Sequence, residues 1–307
     1  MRYLNGKRYY TMAQYSREKF GARTIKIPLC SGFSCPNRDG TKGVGGCSFC
    51  TGDGGGEFAP KTALLLTIQL ENERKKLQKW QDAVSIAYFQ SFSNTHCSAG
   101  RLKELLDEAL TLPNIGGIRI ATRADCIDIE KADLIAKANQ ILPVELELGL
   151  QTAHDKTAER INRCHSFGEF LRGYSLLKER GIYTCVHLIN GLPDESPEMM
   201  LKSAEILGKL RPSGVKLHML HILKGSQMAK EYEISPFPLL TREQYIDIVC
   251  SQLRLLPPET VIERLTGDGA GENLIAPLWT KNKRAVLNLI DKTLAERGIW
   301  QGDRFGG

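Results

Sequence analysis

The chain of 307 residues has no apolar run near the ~18 residues that a membrane-spanning helix requires, which excludes an obvious bilayer segment. Its opening stretch, Met1 to Arg8, lacks the apolar core of a secretory leader, so the cytoplasm is the expected compartment. Low-complexity tracts, short-period repeats and a clean linker are also missing, which excludes a disordered or solenoid architecture. No Ser–His–Asp arrangement, Walker loop or dinucleotide fingerprint is visible, and the turn from Gly267 to Gly271 is too short to count as a phosphate site. Aromatic residues are sparse at 7%, but 42% apolar and 25% charged residues make an ordinary globular mixture. The length allows two domains, or one α/β barrel with a tail.

Cysteine is what the chain has in an unusual pattern. There are nine, an odd number, and Cys30, Cys35, Cys47 and Cys50 fall close together. The others (Cys97, Cys126, Cys164, Cys185, Cys250) are scattered. In a reducing compartment, clustered thiols point to a metal or redox site rather than to disulfides.

Charge is also uneven. Residues 1–26 hold seven basic side chains and one acid, Glu18, which accounts for the whole net charge of +6. Tyr3, Tyr9, Tyr10, Tyr15 and Phe20 lie among these cations. Cations track phosphates and aromatic faces stack on bases, so this segment suits looped or single-stranded nucleic acid. A solvated basic cap on one end of a barrel accounts for it equally well.

The apolar period alternates between strand-like and helix-like. Strands are predicted at 24–29, 84–89, 118–121, 144–150, 183–189 and 215–220, with a further strand-like stretch at 261–265. Helices are predicted at 62–80 (apolar stripe Leu64, Leu65, Ile68, Leu77 and Trp80), from Ser98 to about 112, and at 129–139, 154–162 and 166–180. Others open at Ser196 with Pro197 at the first position, at the capping box Thr241–Gln244, and at about 282. Six strands alternating with helices give a parallel sheet by right-handed crossovers, barrel-like or doubly wound. The expected organisation is a basic aromatic segment (1–23), the βα-repeat unit (24–256) and a C-terminal α/β extension packed on it (257–307).

The four clustered cysteines lie in the long glycine-rich loop after the first strand, where βα-repeat proteins carry their sites. The spacing Cys35-x11-Cys47-x2-Cys50, with Cys30 five residues upstream, leaves two readings open. A zinc ion could use all four thiolates and only brace the loop. An iron–sulfur cluster could use three and leave one iron open to a ligand.

Cys47-Ser-Phe-Cys50, within the string from Gly32 to Cys50, resembles the end of the radical S-adenosylmethionine (SAM) signature as it stands in the YtqA/YhcC family. That family is similar to the radical SAM part of the Elongator catalytic subunit. The resemblance continues through Ala121–Ile127, Leu146–Lys156, Ile161–Arg163, His187–Pro193, Lys216–Ser226 and Ala276–Trp279. Ala124 and Asp194 depart from the family's usual Pro and Gly, and Cys30 lies outside its three-cysteine motif. The resemblance implies a partial (β/α)6 TIM-like barrel and a [4Fe-4S] cluster held by Cys35, Cys47 and Cys50. It also implies SAM on the open iron, cleaved by one electron to a 5′-deoxyadenosyl radical.

It implies cofactor contacts from Phe49, Gln90, Ser91, Thr122, Arg123, Glu147, Gln151 and Asn190. Independently, Glu145, Glu147, Gly149 and Gln151 share one face of the fourth strand. Buried carboxylates there need partners, and Arg119, His187, Lys216 and His218 are the candidates. His218, His221 and Lys224 are candidates to face substrate.

For activity, the resemblance implies tRNA modification at the wobble uridine: a 5-carboxymethylaminomethyl-(2-thio)uridine becomes the 5-aminomethyl form. An electron donor such as flavodoxin or ferredoxin would serve it. Acetyl-CoA use is not expected, since the chain has no room for the Elongator subunit's acetyltransferase domain. Two alternatives stand: a radical SAM oxidoreductase on a small molecule such as a porphyrin precursor, and a non-catalytic, zinc-stabilised RNA-binding protein.

Overall fold

A computed structural model describes residues 3–54, 60, 64–77, 82–267 and 271–306. Seven strands, β1 (Thr24–Leu29), β2 (Val84–Phe89), β3 (Gly117–Thr122), β4 (Val144–Gln151), β5 (Tyr183–Asn190), β6 (Gly214–Met219) and β8 (Val261–Arg264), pair in parallel in that order. They form an open half-barrel, a partial TIM barrel of α/β class. The six-strand expectation is corrected to seven, because residues 261–264 pair with β6. Without β8, the backbone edge of β6 would be left unpaired.

The helices cover the outside: α2 (Leu66–Lys76), α3 (Ala99–Leu110), α4 (Ile129–Ile141), α5 (Asp155–Arg160), α6 (Phe167–Glu179), α7 (Pro197–Leu210), α9 (Arg242–Leu255) and α10 (Lys283–Glu296). Their starts are written in the sequence. Ser98 and Ser196 accept from the main chain of Arg101 and Met199, and Ser166–Glu169 and Thr241–Gln244 close capping boxes. The outer face of the strands packs on these helices through Leu29, Phe89, Ile120, Leu148, Val186 and Leu217, all buried. A short antiparallel pair, β7 (Ile222–Leu223) with β9 (Leu274–Ala276), and helix α8 (Gln227–Ile234) follow β6.

The apolar stripe expected of α2 needs correction. Leu64 and Leu65 precede α2 and, like Ile68, are exposed, while Leu66, Gln69, Leu70 and Glu73 face inward. Gln69 sets this rotation. Its side chain accepts from Cys30 N at 2.8 Å and donates to Cys30 O at 3.1 Å and Leu64 O at 2.8 Å. Trp80 and residues 268–270 lie outside the described residues.

The basic aromatic segment contains a helix that the periodicity did not reveal, α1 (Met12–Phe20), capped by Thr11. It closes the N-terminal end of the barrel. Tyr15 donates to Glu145 at 2.6 Å and its ring lies 5.0 Å from that of Tyr183, and Lys19 pairs with Glu145 at 3.1 Å. Tyr3 stacks on Trp300, and Tyr9 is buried in the core. Tyr3, Tyr9 and Tyr15 therefore pack on the barrel, while Tyr10 and Phe20 are half-buried. No described helix is long and apolar enough to cross a membrane.

Candidate functional site

The concave face of the sheet is polar, because alternate residues of each strand point into the lumen. Its lowest layer joins Arg119 to Glu145 at 3.4 Å and to Glu263, with Tyr183 donating to Glu263 at 2.9 Å. Above it, Glu147 accepts from Lys26 and Lys216 at 2.5 Å each and from Tyr88 at 2.7 Å, with Arg119 at 3.2 Å. Burial favours neutral Glu147, but Lys216, Lys26 and Arg119 outweigh it and hold the carboxyl well below its usual range. Lys26 is pushed down to about 8 by burial and by repulsion from Arg119 and Lys216.

Over these layers, at the C-terminal strand ends, opens a cavity of about 430 Å³, within the range of small-molecule sites. Cys35, Cys47 and Cys50 all line it, on the loop after β1. Local contacts hold that loop in place. Cys50 N donates to Cys47 O at 2.9 Å, and Arg38 N to Cys35 O at 2.8 Å. Asn37, fully buried, donates its amide to Cys47 Sγ at 3.7 Å and to Asn162 O at 2.5 Å. Lys42 bridges Asp125 (2.8 Å) and Glu169 (2.7 Å). A hydrogen bond from Cys50 draws the Cys47 thiol down to about 7 against its burial, with Arg123, Asn37 and Arg163 adding to the pull. Cys50 is correspondingly held protonated.

Cys30 is bonded through its backbone to Gln69 of α2 and does not line the cavity. Among the described residues, no three His, Cys, Asp or Glu groups stand close enough together to hold one metal ion.

Of the remaining sequence candidates, Phe49, Gln90, Ser91, Thr122, Arg123, Glu147, Gln151, His218 and His221 all line the cavity. Ser91 and Gln151 adopt left-handed backbone (φ 75° and 60°), an uncommon conformation that concentrates at functional sites. Arg123 is clamped by Asp125 at 3.0 Å and donates to Arg163 O at 2.7 Å.

Two candidates, Asn190 and Lys224, lie off the cavity. Asn190 is buried away from the cavity, its amide paired reciprocally with Gln252 at 2.9 and 2.8 Å. Lys224 is exposed outside it, with its backbone N–H donating to Asn273 O at 2.8 Å. Glu147, on the cavity floor, has its oxygens engaged by Lys26, Lys216 and Tyr88.

The sequence reading missed Lys26, Tyr88, Arg163, His165, Cys185 and Arg264 as lining residues and gave His187 only as a partner for the buried carboxylates. Strand phase could have pointed to Lys26, Tyr88 and Cys185. Arg163 could not have been found this way: it reaches back from the loop after α5 to bond Leu150 O and Thr152 O.

Residues 36–207 match the model of the radical SAM superfamily, and residues 212–296 that of the radical SAM C-terminal domain. The chain is 43% identical over 300 residues to protein YtqA of Bacillus subtilis (strain 168), covering 97% of this chain and 93% of that protein. It is 37% identical over 291 residues to protein YhcC of Escherichia coli (strain K12), covering 94% and 92%. Among solved structures it is similar in fold to the archaeal Methanocaldococcus infernus Elp3 with its N-terminus deleted. That likeness has a TM-score of 0.66 at 16% identity, and covers 91% of this chain and 64% of that one.

Proposed function

The chain belongs to the radical SAM superfamily and, within it, to the group of YtqA and YhcC; on that premise we propose that it modifies tRNA at the wobble uridine. The reaction in this proposal oxidises the carbon between nitrogen and carboxylate in 5-carboxymethylaminomethyl-(2-thio)uridine by two electrons, with SAM as the oxidant. Water cleaves the resulting imine, so that the carboxymethyl unit leaves as glyoxylate and the 5-aminomethyl form remains. As a radical SAM protein it uses a [4Fe-4S] cluster and SAM. Together, when bound, these supply a one-electron cleavage that yields a 5′-deoxyadenosyl radical able to take a hydrogen atom from substrate.

The residues fit this pair of groups. Three thiols on one loop line one cavity, while Cys30, whose backbone is bonded to Gln69 of α2, does not line it. Three thiolates holding an iron–sulfur cluster leave one iron open to a ligand in that cavity, which a closed four-thiolate zinc site does not. That presentation is the observation that carries the reading. Cys35, Cys47 and Cys50 are its ligands. Asn37 and Arg123 supply a hydrogen bond and positive charge to Cys47. Gln90, Ser91, Thr122 and Gln151 ring the cavity where a polar cofactor must be oriented, and Phe49 offers an aromatic face beside the thiols.

The tRNA part rests on the resemblance to the Elongator catalytic subunit, not on the N-terminal segment. Flavodoxin or ferredoxin serves as the electron donor. The test is anaerobic incubation of cluster-reconstituted protein with SAM, reductant and tRNA bearing the carboxymethylaminomethyl group, followed by nucleoside mass spectrometry. The aminomethyl nucleoside should appear together with 5′-deoxyadenosine. Deoxyadenosine release with the tRNA unaltered would overturn the substrate assignment and leave the enzyme class standing.

A further inference from the structure

The cavity has two unlike sides. The thiols, Gln90, Ser91 and Thr122 stand over β1, β2 and β3. Across the lumen, three imidazoles gather: His187 on β5, His218 on β6 and His221 just after it. The rings of His187 and His218 are 4.1 Å apart in an edge-on arrangement, and His187 sits beside Lys216 in the strand register. Each of the three has a buried Nε2 with no hydrogen-bond partner. One such orphan nitrogen is unusual and costs about 1–3 kcal/mol, and three side by side on one cavity wall point to a ligand that supplies what the protein does not.

The charge around them selects the ligand. Among the described residues, the lumen network sets Lys19, Lys26, Arg119 and Lys216 against Glu145, Glu147 and Glu263, one more cation than carboxylates. Arg264 adds a guanidinium on the same side as the imidazoles. Among the described lining residues Glu147 is the one acid, and it is already bonded to Lys26, Lys216 and Tyr88. Burial keeps the imidazoles neutral, with His187 pulled down to about 3 and His221 to about 4, so each carries one N–H and brings no charge of its own. The space is built as carefully as the donors. A β-carbon on Gly267 would lie 2.4 Å from the His221 ring, so glycine there admits the imidazole.

We propose that His187, His218 and His221, backed by Lys216 and Arg264, form a carboxylate-binding subsite that holds the substrate's acid group across the cavity from the thiol loop. This deepens the function proposed above and rests on it for the identity of the substrate. The subsite reads an acid on the substrate side chain and discriminates against the same molecule with that acid neutralised. It also orients the bond next to the acid toward the thiol side.

The test is calorimetric titration of anaerobically reconstituted holoenzyme with 5-carboxymethylaminomethyluridine and with its carboxamide. N-methylglycine and its amide serve as a second pair carrying no nucleoside. The acid of each pair should bind at least tenfold more tightly than the amide. In His218→Asn, and separately in His221→Gln, that ratio should fall to near one, with iron content and melting temperature reporting that each variant is folded. Acid and amide binding alike to the unaltered enzyme would overturn the subsite. So would a ratio that survives both substitutions. If N-methylglycine shows the discrimination but carboxymethylaminomethyl-tRNA is not converted, the subsite stands and the wobble-uridine assignment falls. If the tRNA is converted without discrimination in either pair, the assignment stands and the subsite falls.

Discussion

Gly149 lies directly beneath the side chain of Gln151: a β-carbon on Gly149 would come within 2.4 Å of the Gln151 amide nitrogen. The strand bulges at this point, its register with β5 slipping between Gly149 and Gln151, and Gln151 turns left-handed at φ 60°. The bare glycine and the bulge together fold the amide over the cavity. Gly149→Ala should displace it. If Gln151 makes one hydrogen bond to SAM, the loss is about 1 kcal/mol, roughly fivefold in affinity, measurable by equilibrium dialysis of SAM against the reconstituted protein. Unchanged SAM affinity would remove Gln151 from the cofactor site.

Cys30 and the other three clustered cysteines should behave differently. Cys30→Ala should keep about four iron atoms per chain after reconstitution. Cys35→Ala, Cys47→Ala and Cys50→Ala should each lose most of it. Asn37→Ala removes the donor to Cys47 and the brace to Asn162, and should weaken cluster retention about 10- to 100-fold, as loss of an outer-shell partner commonly does. Iron release under a chelator reads this directly.

Deleting residues 1–20 removes α1 from the closed end of the barrel, with Tyr15 and Lys19 leaving Glu145. The expected result is a lower melting temperature, with the salt slope of tRNA binding unchanged in the folded fraction. A truncated chain that melts normally yet binds tRNA weakly would return this segment to the nucleic-acid surface.

Glu147→Gln leaves Lys26, Lys216 and Arg119 facing one another without their central carboxylate. Stranding buried charge in this way costs about 3–5 kcal/mol, to be read by denaturant unfolding of the apoprotein. Adding Lys216→Met should recover part of that loss, because it removes one of the unmatched cations. Equal instability of the single and double variants would mean that packing, not charge balance, dominates the lumen.

Asp125 predicts a pH dependence. Burial pushes its carboxyl up, but the hydrogen bonds and charge of Arg123 outweigh this and bring it from 3.8 to about 2, with Lys42 assisting. A carboxyl depressed on folding stabilises the protein above its unfolded pKa, and that contribution fades as the pH falls toward the folded value. The stability gap between the wild-type chain and Asp125→Asn should therefore be full above about pH 4 and close between pH 4 and 2. A gap independent of pH would place the stabilisation elsewhere.

Much of this architecture was legible in the amino-acid order. Ser98, Ser166, Ser196 and Thr241 mark helix starts because a side-chain oxygen beside a free backbone N–H is a local event. The strands showed themselves by period, and the two-residue phase placed Glu145 and Glu147 on one face before any fold was known. The α1 helix was hidden because its polar sequence carries little apolar periodicity; it buries Gln14 and Ser16 and sets Tyr15 on Glu145 of the barrel floor.

The sequence by itself determined the parallel βα alternation, the cysteine-bearing loop after β1 and the family, because each depends on spacing along the chain. Only the tertiary structure decided that residues 261–264 complete the sheet, that Cys30 stays off the cavity, and that Asn190 is spent on Gln252. Those outcomes depend on which backbone edge, amide or thiol meets which partner across long stretches of chain. The same holds for His187, His218 and His221. Their positions in the sequence were plain, but that three nitrogens share one wall with no protein partner is a property of the closed cavity alone.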